Sequence, residues 1–140
     1  MSETTATADT AETITAAMML LAERAGDVTP TVMDHYFERC ADSKALMEHM
    51  DRHMLGRMMD QVLLLLMEPG EDELESYLEF ETANHRAYGV QQHMYENLLS
   101  TVREVVANAL GNDYTPATAA AFEARSSYLL EAIAAKEASH

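Results

Sequence analysis

A chain of 140 residues that is 48% hydrophobic, with only 3 prolines and 5 glycines, is long enough to bury a core as one domain and lacks the composition of a disordered segment. A formal net charge of −15 argues against nucleic acid or an anionic membrane surface as the main partner, since both would repel it. The longest purely apolar run, Val62 to Met67, is far too short to span a bilayer, and Met1 to Thr10 has neither the basic start nor the apolar core of a signal peptide. The single cysteine, Cys40, excludes an internal disulfide and fits a reducing compartment, so the expected location is cytoplasmic.

In chain order, residues 1–9 read as a flexible tail and 10–140 as the folded domain. Ile14, Met18, Leu21 and Ala25 recur at helical spacing and Gly26 ends the run, which predicts a first helix over 10–25. Thr29-Pro30 opens a second, with Thr29 as the cap and Met33, Tyr36, Phe37 and Cys40 facing inward as far as about Ala41. The polar-interrupted stretch 42–51 reads as a helical turn and a loop. A third long helix follows over 51–67, with Met54, Met58, Val62 and Leu66 on one stripe, stopped by Pro69-Gly70. Glu71 to Asn84 forms an acidic amphipathic helix. The next runs over 92–110 and buries Leu98, Leu99, Val102, Val105, Val106 and Leu110. Thr115-Pro116 then starts a last helix with Phe122, Leu129, Leu130 and Ile133 inward. No strand pattern or repeat is visible, so the fold class is all-α, either a bundle or a globin sandwich.

Asn84-His85-Arg86-Ala87-Tyr88-Gly89-Val90, followed by Tyr95 early in the next helix, resembles the His-x-x-x-Gly-Val proximal region of bacterial haemoglobins and of the globin domain of flavohaemoglobins. Tyr36-Phe37-Glu38-Arg39 leading to Leu46-Met47, and Thr115-Pro116 with Phe122, fit the same family, so the resemblance covers about residues 30 to 137. It implies a globin fold in the full three-over-three helical sandwich. It also implies one haem b, with His85 as the metal ligand, binding oxygen, nitric oxide or carbon monoxide for gas binding, sensing or redox use. Read without the resemblance, His85 is a histidine near a helix C-terminus interacting with local carbonyls.

The same resemblance assigns the surroundings of the haem. Val90 and Tyr95 belong to the proximal side, where Tyr95 and Glu137 would polarise the imidazole; Glu137 reads equally as a solvated terminal charge. On the distal side Arg57 would reach a propionate, Met54 and Met58 would lie over the iron, Met33 would contribute from the second helix, and Met47 would replace the usual Phe. These methionines, among 11 in the chain, read alternatively as ordinary core. The family often carries Tyr and Gln here. A wall of thioethers with almost no hydrogen-bond donor weakens the expectation of tight oxygen binding or nitric-oxide dioxygenation. His53, beside Met54, would reach the iron after a one-residue rotation, and His49 and His53 at i, i+4 on one helix face would suit a transition metal.

No flavin-binding pattern occurs, so any weak peroxidase or dioxygenase turnover is expected to need an external reductase, and a Met-rich apolar surface would support a homodimer through the helices at 92–110 and 116 onward. Two other classes compete with the haem reading. One is a haemerythrin-like non-haem metal protein using His35, His49, His53, His85 and His93, for which the sequence lacks the full ladder of carboxylate and histidine positions. The other is a cofactor-free regulatory module of globin shape.

Overall fold

The computed structural model describes residues 3–67, 85 and 89–138, and places the side chains of 10–67, 85, 89–136 and 138. Among these residues the chain forms six α-helices, one 3-10 turn and no strand: α1 Glu3–Ala25, α2 Thr29–Arg39, α3 Ala41–Leu46, α4 Arg52–Met67, α5 Gln92–Leu110, the turn Gly111–Asp113, and α6 Pro116–Ala138. The all-α class is therefore observed. The expected helix Glu71–Asn84, the Pro69-Gly70 stop of the helix over 51–67 and the Glu137 carboxylate lie outside the described residues. The first helix begins at Glu3, so residues 3–9, expected as a tail, form its opening turns.

Local chemistry sets most of the boundaries. Asp51 caps α4, its Oδ1 accepting the Met54 N–H at 2.9 Å, and Thr115 caps α6 in the same way through the Thr118 N–H at 3.2 Å. At the start of α2 the expected Thr29 cap is replaced. Val28 occupies the cap position, and Asp27 Oδ1, from the turn before, accepts the Thr29 N–H at 3.0 Å. Those bonds to Thr29 hold the Asp27 carboxyl below the usual carboxylate range. In α5 a methionine takes the place of the acidic partner at the cap: the Met94 N–H bonds to the Gln91 carbonyl at 3.0 Å, and the Gln91 N–H reaches Met94 Sδ at 3.4 Å.

The core runs along the inner faces of the long helices. α1 rests chiefly on α6 and α5, α2 on α5, and α4 touches α1, α6 and α2. Ile14, Val32, Met59, Leu66, Val102, Val106 and Phe122 are the best buried. On α4 the buried face matches the expected stripe only in part. Met59 and Leu66 are buried, Met58 and Val62 are half-buried, and Met54 is 40% exposed. Three arginines tie helices together: Arg24 on α1 donates to the Leu110 carbonyl of α5 at 3.0 Å, Arg125, buried on α6, donates Nε–H to the Leu65 carbonyl at 2.9 Å, and Arg39 joins α2 to α5 through Glu104 at 2.6 Å. Among the described residues no helix is long and apolar enough to cross a membrane. Among the described residues, Met19, Met54, Leu64 and Tyr128 are the large apolar side chains left exposed.

Candidate functional site

A cavity of about 920 Å³ opens between the α2–α3 corner, α4, α5 and α6. That is the upper end of the range of about 300–1,000 Å³ typical of small-molecule and cofactor sites. Its wall is mostly apolar. Leu46, Met47 and Met50 come from the corner and the loop after it, Met58, Val62 and Leu65 from α4, Met94, Leu98 and Leu99 from α5, and Leu129 and Ile133 from α6. The stripe on α4 follows helical spacing, Arg57, Met58, Gln61, Val62 and Leu65, so one face of that helix forms the side of the cavity.

His85 and Tyr95 meet at this wall. His85 Nδ1 lies 3.1 Å from the Tyr95 hydroxyl, and both residues are half-buried. The backbone explains why the imidazole is held there. The Val90 N–H bonds back to the His85 carbonyl at 3.0 Å, and Gly89 between them has φ +92°, the long closing bond of a Schellman-type helix end. A side chain at position 89 would be strained in that conformation, and its Cβ would lie 3.7 Å from Leu46 Cδ2. Gly89 thus turns the chain after His85, and the Gln91 cap starts α5 in the orientation that returns Tyr95 to His85.

Another part of the wall carries hydroxyls. Tyr36 Oη is 2.5 Å from Ser43 Oγ and 3.2 Å from the Met94 carbonyl oxygen, with Tyr36 and Ser43 both buried. Burial pushes the Tyr36 phenol up to about 12, the Ser43 bond offsetting part of that rise. His49, Arg57 and Gln61, all exposed, also border the cavity.

Of the residues singled out in sequence, His85, Tyr95, Val90, Met47, Arg57 and Met58 come together here. Met33, Met54 and His53 do not. Met33 sits one turn before Tyr36 on α2 and is buried in the core, 3% exposed, while Tyr36, nearer the corner, takes the wall. Met54 and His53 lie in the first turn of α4, before the cavity-lining stripe begins, and both are exposed. Nor is the wall a donor-poor surface of thioethers, since Tyr36, Ser43, His49, Arg57 and Gln61 all bring donors to it. Gln61 was recoverable by extending the α4 stripe from Arg57 by one turn. Ser43 left no signal, because its role depends on α3 returning it to Tyr36.

His49 and His53 do not share a helix face. His49 is in the turn at 47–49 after α3, and His53 is in α4, so their i, i+4 spacing does not make a metal pair. Among the described residues, Cys40, Asp42 and His93 are the one trio of metal-capable side chains drawn together, and none of the three lines the cavity. The histidine ladder of a haemerythrin-like centre is not assembled among them. No protein-family model matches the chain, and no curated protein shows significant similarity to it.

Proposed function

We propose that the chain is a globin-like haem protein in which His85 Nε2 would ligate the iron of a haem b held in the cavity, and which would bind a small gaseous ligand there. The observation that carries this reading is the His85 Nδ1 to Tyr95 Oη contact of 3.1 Å at the wall of a largely apolar cavity of about 920 Å³. An imidazole that donates Nδ1–H to the tyrosine keeps its lone pair on Nε2, the form in which histidine ligates a metal, and the outer hydrogen bond fixes the ring plane. A wall drawn from α2, α3, α4, α5 and α6 around one ligand space accords with a globin sandwich.

The donor set fits such a group. Met58, Val62, Leu65 and Leu98 would give the apolar walls a flat hydrophobic ring needs, and the exposed Arg57 and His49 would offer hydrogen bonds to its acidic substituents. Tyr36 and Ser43 provide hydroxyls in a buried stretch of wall, where a hydrogen bond to a partly negative ligand is strong. When bound, haem would supply an iron centre able to take oxygen, nitric oxide or carbon monoxide and to exchange an electron. Any turnover by this chain would draw electrons from an external reductase.

The test is an absorption spectrum of the purified full-length chain titrated with haem, then reduced, then exposed to carbon monoxide. The reading expects a Soret band saturating at one haem per chain that shifts at each step, and loss of the axial-histidine signature in His85→Ala. No Soret band after titration, or a spectrum indifferent to His85→Ala, would overturn it and leave a cofactor-free helical module.

A further inference from the structure

The corner between α2 and α3 carries a second constellation that the haem reading does not use. Cys40 is the residue at the break between the helices, Asp42 is on α3, and His93 is in the first turn of α5. Their ligand atoms all lie within 4.8 Å of one another. His93 Nε2 is 2.7 Å from Asp42 Oδ2, and the Cys40 thiol donates to Asp42 Oδ1 at 3.1 Å. One carboxylate therefore stands between an imidazole and a thiol that belong to elements far apart in sequence.

We propose that Cys40 Sγ, Asp42 and His93 Nε2 form a metal site for Zn²⁺ or a similar borderline-soft divalent ion, separate from the cavity. The donors select the ion. A thiolate with an imidazole and a single carboxylate suits zinc or cobalt and is a poor match to magnesium or calcium, which prefer all-oxygen shells. The spacing also fits. Zinc–ligand bonds of about 2.0–2.3 Å in a tetrahedron place any two donors roughly 3.3–3.6 Å apart, so shifts on the order of 1 Å close the trio on an ion. Three protein ligands leave the fourth position to water. Asp42 and His93 are open to solvent, with side chains 52% and 44% exposed, and provide the entry path to the otherwise buried Cys40.

The neighbouring groups fit the same role. The Asn97 amide donates to the His93 carbonyl at 2.9 Å and lies 4.0 Å from Cys40 Sγ, where it would support a thiolate and hold the first turn of α5. On binding, the Sγ–metal bond forms as the S–H bond breaks, with its proton released to water. The Nε2–H proton that His93 shares with Asp42 moves to Nδ1 through solvent, so that the Asp42–His93 hydrogen bond is exchanged for one metal bond to each partner, and no electron moves. The net charge of −15 favours cation capture at such a site.

Cobalt(II) added to the purified full-length chain tests the assignment independently of haem. The site predicts a thiolate-to-cobalt charge-transfer band with four-coordinate visible bands, saturating at one equivalent, displaced by Zn²⁺, and absent in Cys40→Ser. His93→Ala, at a half-exposed position that spares the core, should weaken cobalt by about tenfold or more, the range seen even for outer-shell partners. Zn²⁺ should also slow alkylation of Cys40 in the unaltered protein. No charge-transfer band, a band unmoved by both His93→Ala and Asp42→Asn, or alkylation indifferent to Zn²⁺ would overturn the proposal.

Discussion

Replacing Tyr36 with Phe tests whether the hydroxyl cluster in the cavity wall is a fixed part of the fold. The change keeps the ring and removes one oxygen, which now lies 2.5 Å from Ser43 Oγ and 3.2 Å from the Met94 carbonyl. Ser43 is 2% exposed, and the partner left beside it is the weaker Cys40 Sγ at 3.4 Å. Leaving Ser43 with a weaker partner and the Met94 carbonyl without the phenol should cost about 1.5–2 kcal/mol at neutral pH. That amounts to a fall of roughly 5 °C in the unfolding midpoint of a chain this size. Alkali provides a second reading with a definite sign. The Tyr36 phenol is held up at about 12 in the folded chain, against 10.0 for an ordinary tyrosine. Between those values the unfolded chain has lost the proton and the folded chain keeps it, so stability is intact below pH 10 and falls as pH rises toward 12. The loss attributable to this group is roughly 2.5 kcal/mol. Urea unfolding followed by circular dichroism, at neutral pH and across the alkaline limb, measures both. The Phe variant should start lower and fall less steeply, so the gap to the unaltered protein narrows as pH rises. A variant within about 0.5 kcal/mol of the unaltered protein at neutral pH, with a parallel alkaline limb, would refute the buried-network account.

Three further outcomes follow from particular contacts. Tyr95→Phe keeps the ring beside His85 but removes the oxygen 3.1 Å from Nδ1; haem affinity should fall by about tenfold while the fold is retained, as haem titration and circular dichroism would show. Gly89→Ala forces a Cβ onto a residue at φ +92°, which should cost about 1–2 kcal/mol in urea unfolding and weaken haem binding by displacing His85. Asp27→Ala removes the acceptor for the Thr29 N–H and should destabilise by about 1 kcal/mol near neutrality. Because the folded Asp27 carboxyl is held below its usual range, its contribution is present above the ordinary carboxylate range and lost as pH falls through the lowered value; an acid titration of the variant should therefore show a shallower loss.

The helices were legible wherever an apolar stripe coincided with local capping chemistry. Thr115-Pro116 and the Asp51 start of α4 could be read directly, because a cap and the N–H it accepts lie within one turn of each other in sequence. The Asp27 cap was less visible. Thr29 is the commoner kind of cap before a proline, and backbone torsions, not composition, placed Val28 at the cap position. The expected α4 stripe is met at Leu66 and shifted by one residue at Met58-Met59, where two like apolar side chains stand side by side and Met59 is the buried one. Where all positions are hydrophobic, periodicity cannot say which side faces the core, and contact with α1, α2 and α6 decides it.

The same distinction separates the two halves of the cavity wall. The His85 side was legible because its parts are neighbours in sequence: a histidine, a glycine where φ must be positive, and a tyrosine one turn into the next helix. The hydroxyl side joins Tyr36 on α2 to Ser43 on α3 and to Met94 on α5, and the metal trio joins Cys40 and Asp42 to His93 across the same gap. Neither has a local signature, since each depends on how the α2–α3 corner settles against the first turn of α5. That junction carries both groups. Ser43 Oγ stands 3.4 Å from Cys40 Sγ on one side and 2.5 Å from Tyr36 Oη on the other, so a change in the thiol's proton is separated from the cavity by a single hydroxyl.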